Sequence, residues 1–300
     1  MASLEGPAWE HLLVSERSQD EQFKLLRAGA KLNKMPGTQV LCKKDRLWRA
    51  YLKLQKQWGR KFFHFLPTSY NLPEDRERLR WRMRAGEDIW IVKPPGASCG
   101  NGIKLVTKWS DIPERDAKHN SQLCVQRYVT SPYLVNGLKS DLRLYVLVTS
   151  ISPLRVYLHQ DGLVRFATRP YTTDPAHLAD KMVHLTNYSV NKYSEDFEHN
   201  EAPSEFSGHK WSLETFWKFM ASEGHDVELV KKRIKNLVIK TVLCGQEDML
   251  GAVTEHLASD YSCYKLFGVD VFLDTQLKPW LLEVNNFPSL EKDSLDRSSS

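Results

Sequence analysis

Residues 266–285 read Leu-Phe-Gly-Val-Asp-Val-Phe-Leu-Asp-Thr-Gln-Leu-Lys-Pro-Trp-Leu-Leu-Glu-Val-Asn. Two apolar runs, 266–273 and 280–284, flank a polar break at 274–276. Short runs rich in Val, Phe and Trp, joined by turn residues, predict a β-hairpin. Asp270, Glu283 and Asn285 interrupt these runs where burial is expected. Residues two apart on a strand point the same way, so Glu283 and Asn285 share a face. Pairing of the hairpin brings Asp270 to them. Burying carboxylates in a strand pair is costly without a cation. Two carboxylates and an amide oxygen are hard ligands that suit Mg2+ bridging phosphates. The alternative is a carboxylate bonded to a nearby lysine such as Lys278.

Upstream, the pattern is β-rich from 93 to 165. Residues 103–106 and 123–129 read as strands, and 142–150 with 154–158 as a hairpin around Ser152-Pro153. Asp161-Gly162 is a tight-turn signal before 163–166. The front of the chain reads as helix over 8–31, 44–58 and 74–84, with a short apolar strand at 62–66 and another strand at 87–93. Two further helices are predicted at about 211–223 and 226–245. Residues 191–209 are polar and predict a mobile loop; the polar tail 291–300 predicts disorder. The mix is α+β with antiparallel sheets.

Three more segments carry candidate chemistry. Lys93-Pro94-Pro95-Gly96-Ala97-Ser98-Cys99-Gly100-Asn101-Gly102 is a strand-ending lysine followed by a glycine-rich loop. Backbone N–H groups in such a loop can wrap phosphate oxygens, and the lysine adds a point charge. It is not a Walker A sequence, since no G-K-[ST] is present; the plain alternative is an ordinary glycine-rich hairpin. Lys139, Asp141 and Arg143 alternate and so share a strand face, which can grip a phosphate or form a surface salt-bridge ladder of little consequence. His184-Leu185-Thr186-Asn187-Tyr188-Ser189 is a run of hydrogen-bonding side chains that could be any turn.

Composition narrows the partners. The chain has 300 residues and is 41% hydrophobic, enough for a sizeable core. It shows no apolar stretch long enough to span a membrane and no secretory leader pattern. The cysteines Cys42, Cys99, Cys124, Cys244 and Cys263 are scattered and form no C-x-x-C pair, so free thiols in the cytosol are expected. Residues 1–110 hold 21 Lys+Arg against 11 Asp+Glu, and the remainder 21 against 26. A basic front half points to an acidic partner. A nucleic-acid binder would explain that charge but not the acidic cluster in the hairpin, so no nucleic-acid or membrane partner is expected.

Taken in order, Lys93-Pro94-Pro95 with its glycine loop, Val125-Gln126-Arg127-Tyr128, Lys139-x-Asp141-Leu142-Arg143, Gly162-Leu163-Val164-Arg165, His184 to Lys192 and Lys278 to Asn285 closely resemble the tubulin tyrosine ligase-like family, in its polyglutamylase branch. Lys44-Asp45-Arg46-Leu47-Trp48 resembles the family's amino-terminal region. The likeness spans about residues 33–290.

The resemblance implies an ATP-grasp fold, with nucleotide held between two α+β lobes. It implies an amino-terminal lobe over 1–75, a central lobe over 76–150 and a carboxy-terminal lobe over 151–290. Carried over, Lys93 and Cys99, Gly100, Asn101 and Gly102 meet the phosphates of ATP. Gln126, Arg127, Tyr128 and Val129 form the hinge strand at adenine. Lys139 and Asp141 contact the nucleotide, with Thr186 and Asn187 close by. Asp270, Glu283 and Asn285 bind Mg2+, and Arg165, Tyr188, Ser189 and Lys210 receive free L-glutamate. Arg165, Lys139 and Glu283 are thereby the expected catalytic set. The implied reaction activates an acceptor carboxylate as an acyl phosphate, from which the amine of free glutamate displaces phosphate to form an isopeptide or peptide bond. The implied partner is tubulin or the microtubule, through acidic tails drawn to the basic helices at 44–61 and 74–84. A monomer in the cytoplasm and cytoskeleton, with a cilium or basal body as a further setting, completes the expectation. The alternatives weighed are a ligase using glycine or tyrosine and a catalytically silent tubulin binder. Family glutamylases carry Arg or Gln where Cys99 stands.

Overall fold

The computed structural model describes residues 11–12, 31–94, 102–113, 123–191, 194–196, 206, 208–257 and 261–290. Its larger sheet has six strands: β7 (Leu134–Val135), β8 (Leu138–Ile151), β9 (Leu154–Phe166), β10 (Lys210–Ser212), β11 (Lys265–Leu273) and β12 (Pro279–Asn285). The order is β10-β9-β8-β11-β12, with β7 on the start of β8, and all neighbours are antiparallel. A smaller antiparallel sheet follows the order β3-β6-β4-β5, from β3 (Ser69–Leu72), β4 (Trp90–Lys93), β5 (Lys104–Val106) and β6 (Leu123–Arg127). A third pair joins β1 (His11–Leu12) to β2 (Lys31–Leu32).

Each sheet buries one face under helices, as period-two alternation requires. On β8, Leu142, Leu144, Val146 and Val148 point into the main core. That core is closed by α1 (Gln39–Cys42), α2 (Lys44–Trp58), α6 (Leu213–Ser222) and α7 (Val227–His256). On the small sheet Trp90, Val92, Leu123 and Val125 pack on Leu79 and Met83 of α3 (Arg76–Arg84). Two single-turn helices, α4 (Lys181–His184) and α5 (Tyr188–Asn191), lie in sequence between β9 and β10 of the large sheet. Although α7 runs for 30 residues, among the described residues no helix is long and apolar enough to cross a membrane. Both sheets leave their second face toward each other, and the site lies there.

Several expectations change. The helix foreseen over 8–31 lies outside the described residues except at His11–Leu12 and Lys31, which are strand. Residues 62–66 form no strand; instead Phe63 and Phe65 wedge edge-on against Tyr51 of α2, 6.0 and 5.2 Å between ring centroids. No separate lobe ends at 75: residues from Met35 to Leu66 share one hydrophobic cluster with the large sheet, while β3 belongs to the small one. A boundary at 150 would cut β8 from β9, which pair from Ser140↔Phe166 to Ile151↔Leu154. The change of sheet falls between β6 and β7. Asp161-Gly162 is no turn either. The register jumps there from Val146↔Leu158 to Leu144↔Gly162, so residues 159–161 bulge out of a continuous β9.

Gly162 marks the inner edge of that bulge. A Cβ there would overlap the Arg143 carbonyl oxygen and come within 2.9 Å of Leu213 Cδ1. Gly162→Ala should therefore destabilise the protein by about 2–3 kcal/mol, the cost of overpacking against backbone. Gly251→Ala, in α7 with no atom within 4 Å of the new Cβ, should stabilise it by up to about 1 kcal/mol. Urea unfolding of both variants checks the opposed signs.

Candidate active site

A cleft of about 870 Å3, open to solvent, runs between the two sheets. Its small-sheet wall carries Ile91 and Lys93 from β4, Gln126 and Arg127 from β6, and Tyr128 and Val129 just beyond. Its large-sheet wall carries Lys139 and Asp141 from β8, Arg165 from β9, Asp270 and Phe272 from β11, and Leu282 and Glu283 from β12. His184, Leu185, Thr186 and Asn187 close one end, and Lys44 stands at the opening of α2.

The large-sheet wall is a row of charges that the strand registers assemble. Lys210 lies opposite Arg165, and Arg165 opposite Asp141. Two residues on, Arg143 lies opposite Asp270, and Asp270 opposite Glu283. The Arg165 guanidinium donates to Asp141 through Nε at 2.8 Å and through Nη2, and its Nη2 also reaches Asp270 Oδ2 at 3.0 Å. Arg143 grips Asp270 in a two-pronged pair, 2.5 Å from Nε and 3.0 Å from Nη2. Both aspartates are almost wholly buried. Burial raises Asp270, but Arg165 and Arg143 outweigh it and hold its carboxyl below the ordinary range. For Asp141, burial prevails over Arg165 and pushes the carboxyl up. Gly268, on the same face two residues before Asp270, leaves room for Arg143: a Cβ there would sit 3.2 Å from Arg143 Cδ.

Strand β12 contributes through a second irregularity. Its register shifts between Asp270↔Glu283 and Val271↔Leu281, so Leu281 stays in the core while Leu282 and Glu283 both reach the cleft. Glu283 is held by the Lys44 ammonium at 3.3 Å. Lys278 is not its partner: that ammonium lies over the Trp280 ring, 3.5 Å from the centroid, and 3.2 Å from His64 Nδ1. Asn285 donates its amide to Asp270 at 3.2 Å and Glu283 at 3.5 Å. The structure thus brings Asp270, Glu283 and Asn285 together. Among the described residues no group of three or more His, Cys, Asp and Glu side chains is placed to hold a metal. Two carboxylates and an amide fit a hard cation that takes its other ligands from phosphate and water, which is how Mg2+ is ordinarily held.

Two lysines flank this row, Lys93 from across the cleft and Lys139 from the start of β8. Lys93, buried, donates to Gln126 Oε1 at 2.7 Å, and the Gln126 amide is fixed in turn by Ser69 Oγ at 3.0 Å. Burial pushes the Lys93 ammonium down. Lys139 is pushed down to about 7, chiefly by burial, with Asp141 opposing and Lys93 reinforcing. Two desolvated ammonium groups, one on each wall and each hydrogen-bonded to neutral acceptors, favour an incoming anion. Apolar side chains of Ile91, Ile103, Leu185, Phe272 and Leu282 line the space between them and could cover a flat ring.

Of the anticipated residues, Lys93, Gln126, Arg127, Tyr128, Val129, Lys139, Asp141, Arg165, Thr186, Asn187, Asp270 and Glu283 line the cleft. Gly102 is at the exposed end of the glycine loop. Cys99, Gly100 and Asn101 lie outside the described residues, as do the side chains of Tyr188 and Ser189. Lys210 sits behind Arg165 in the β9–β10 ladder, outside the cleft wall. Arg165 itself is less open than expected, since three of its five donors go to aspartates. Lys44 and His184 were not singled out. Lys44 sits in a helix of mostly basic character, where nothing marks one lysine from the next. His184 was visible only as part of a polar run.

A family model described as the tubulin-tyrosine ligase family matches residues 23–299. The chain is 40% identical to tubulin monoglutamylase TTLL4 of Mus musculus over 95% of its own length and 24% of that protein. It is 36% identical to tubulin polyglutamylase TTLL5 of Homo sapiens over 91% of its length and 21% of that protein. With tubulin polyglutamylase ttll-4 of Caenorhabditis elegans the identity is 37%, over 90% of this chain and 43% of the other. The chain thus spans about a quarter to under half of the length of these relatives.

Arg165→Ala should destabilise the fold by about 3–5 kcal/mol at pH 7, because it strands the buried Asp141 carboxylate and leaves Asp270 with Arg143 as its arginine partner. With the guanidinium gone, the Asp141 carboxyl, already raised by burial, rises further above its unfolded value, so the variant regains stability as pH falls. Urea unfolding at pH 7 and pH 5 should show the deficit narrowing; a constant deficit would mean that the side chain matters by its packing instead.

Proposed function

The chain belongs to the tubulin-tyrosine ligase family, and from that premise we propose that it is an ATP-dependent ligase joining free L-glutamate to glutamate side chains of an acidic protein tail, that of tubulin. The observation that carries this reading is the cleft itself. Lys93 on the small-sheet wall and Lys139 on the large-sheet wall offer ammonium groups suited to phosphates, and the large-sheet wall also offers paired carboxylates with arginines beside them. A ligase that must hold a polyphosphate, a divalent cation and two carboxylates needs these charges in this arrangement.

Each group has a role in the proposal. Lys93 and Lys139 bind phosphate oxygens, together with the glycine loop that Gly102 ends. Gln126 to Val129 hold the base at the hinge, between Ile91 and Phe272. Asp270, Glu283 and Asn285 would hold Mg2+. ATP, when bound, supplies the phosphoryl group that turns an acceptor carboxylate into an acyl phosphate. Arg165, fixed in orientation by Asp141 and Asp270, presents its remaining Nη1 donors to the carboxylate of free glutamate, with Lys210 opposite it in the ladder and Tyr188 and Ser189 as the further members of the proposed glutamate set. An arginine locked this way loses little further freedom when it binds a planar carboxylate. No covalent enzyme nucleophile is needed.

The acceptor tail is drawn in by charge. A groove on the outer side of the hinge carries Arg60, His64, Arg78 and Arg127, and it shares Pro67, Arg127, Tyr128 and Val129 with the cleft. Helix α3 adds five arginines along its length, with Trp81 exposed among them. Such a surface steers an anionic chain and fixes its approach. A cytoplasmic, cytoskeletal setting and a monomeric state accompany the proposal.

Incubation with ATP, Mg2+, microtubules and radiolabelled glutamate, glycine or tyrosine tests it. Glutamate should be incorporated, and only with ATP. Glu283→Gln should lower that incorporation at least about 100-fold while the protein stays folded, because one hard ligand and one charge are lost at the phosphates. Incorporation of glycine or tyrosine alone would assign another branch of the family, and normal activity of Glu283→Gln would remove Glu283 from the site.

A further inference from the structure

Lys139 is held by a chain of hydrogen bonds that the reaction scheme above does not use. Its Nζ donates to Tyr128 Oη at 3.0 Å and to the His184 carbonyl at 2.9 Å. The His184 ring lies 3.2 Å, through Nε2, from the His177 carbonyl. A carbonyl can only accept, so Nε2 carries the proton and Nδ1 of the neutral ring accepts. That Nδ1 is 3.1 Å from Tyr128 Oη. Tyr128 therefore donates its single proton to His184, and its oxygen lone pairs turn to Lys139. All three side chains are buried, and burial disfavours the charged imidazolium, in keeping with the neutral ring.

The chain joins the three parts of the cleft. Tyr128 follows β6 of the small sheet, Lys139 opens β8 of the large sheet, and His184 ends α4. The Tyr128 and His184 rings meet edge-on at 5.7 Å, with Tyr171 packed on His184 from the other side at 5.9 Å. The Lys139 ammonium has three protons. Two are taken by protein acceptors, and the third is left for whatever fills the cleft.

We propose that Tyr128 and His184 are positioning residues: through the bond from Tyr128 to the His184 ring, they aim the Lys139 ammonium at the phosphates of a bound nucleotide. This rests on the reading of the cleft as a nucleotide site. Without the Tyr128 hydroxyl, the ammonium loses one of two fixed acceptors and can turn away. Without an acceptor at the His184 ring, the Tyr128 proton has no partner there and its oxygen is no longer oriented.

The test is direct ATP binding in the presence of Mg2+, measured by displacement of a fluorescent nucleotide from the full chain, with thermal unfolding run on every variant. Tyr128→Phe and His184→Leu should each weaken ATP binding about 10-fold, the scale of a hydrogen bond to a charged group. His184→Asn, whose side-chain oxygen falls near the position of Nδ1, should restore binding to within about 2-fold of wild type on the same scale. In a Lys139→Met background Tyr128→Phe should have no further effect, since there is no ammonium left to aim. Unchanged binding by folded Tyr128→Phe, or the same 10-fold loss with and without Lys139, would overturn the positioning role. Should the wild-type chain itself not bind ATP, the nucleotide reading of the cleft falls first, and the proposal with it.

Discussion

Much of this structure depends on a single electrostatic obligation: the carboxylates of Asp141 and Asp270 are taken out of water on the cleft face of a sheet, and Arg143 and Arg165 are the cations paired with them. A buried charge without a partner costs several kcal/mol, and a buried pair breaks even only when its hydrogen bonds are complete. Completeness here fixes the registers of two strand pairs, because each arginine must stand directly across from its aspartate. It also explains two glycines. Gly268 leaves space for the Arg143 side chain, and Gly162 lets β9 close on the Arg143 carbonyl. Apolar packing would build the sheet equally well without these charges. Their retention at a cleft is the mark of chemistry, where charge must be present before the substrate arrives.

The two lysines of the cleft, Lys93 on the small sheet and Lys139 at the start of β8, are less fully compensated. Both are desolvated, Lys93 repels Lys139 while Asp141 only partly offsets its burial, and their hydrogen-bond partners are neutral: Gln126, Tyr128 and a backbone carbonyl. An anion entering between the walls relieves this. The cleft is thus more costly to hold empty than full, and binding energy gained there offsets strain already built into the free protein.

The final hairpin was readable because alternation and turn residues agree over twenty positions, and a polar residue on a buried strand face is conspicuous. The same reasoning puts Asp141 and Arg143 on one face, where they are. It fails where the chain departs from period two. Asp161-Gly162 has the composition of a turn, yet the glycine is needed for close approach inside a bulge. Residues 62–66 have the aromatic content of a strand but are spent on packing around Tyr51. The domain boundaries were illegible for a different reason: the residues around 150 carry a turn signal, and nothing local says that the strands on either side stay in one sheet. Lys44 was hidden because its partner, Glu283, is 239 positions away, and an ion pair between distant segments leaves no periodic trace.

Strand β11 lies between β8 and β12, although the chain makes it more than one hundred residues after β8. While the protein is being synthesised, β8 and β9 can pair, but one long edge of β8 stays bare and Arg143 faces it with no carboxylate to meet. Asp270, Glu283 and the strand that covers that edge leave the ribosome more than one hundred residues later. Loop closure over such distances is slow, and an uncovered edge strand invites pairing with other chains. The cleft and the sheet are therefore completed by the same late event, so a nascent chain that stalls short of residue 270 lacks the carboxylate row of the cleft and presents an uncovered strand edge.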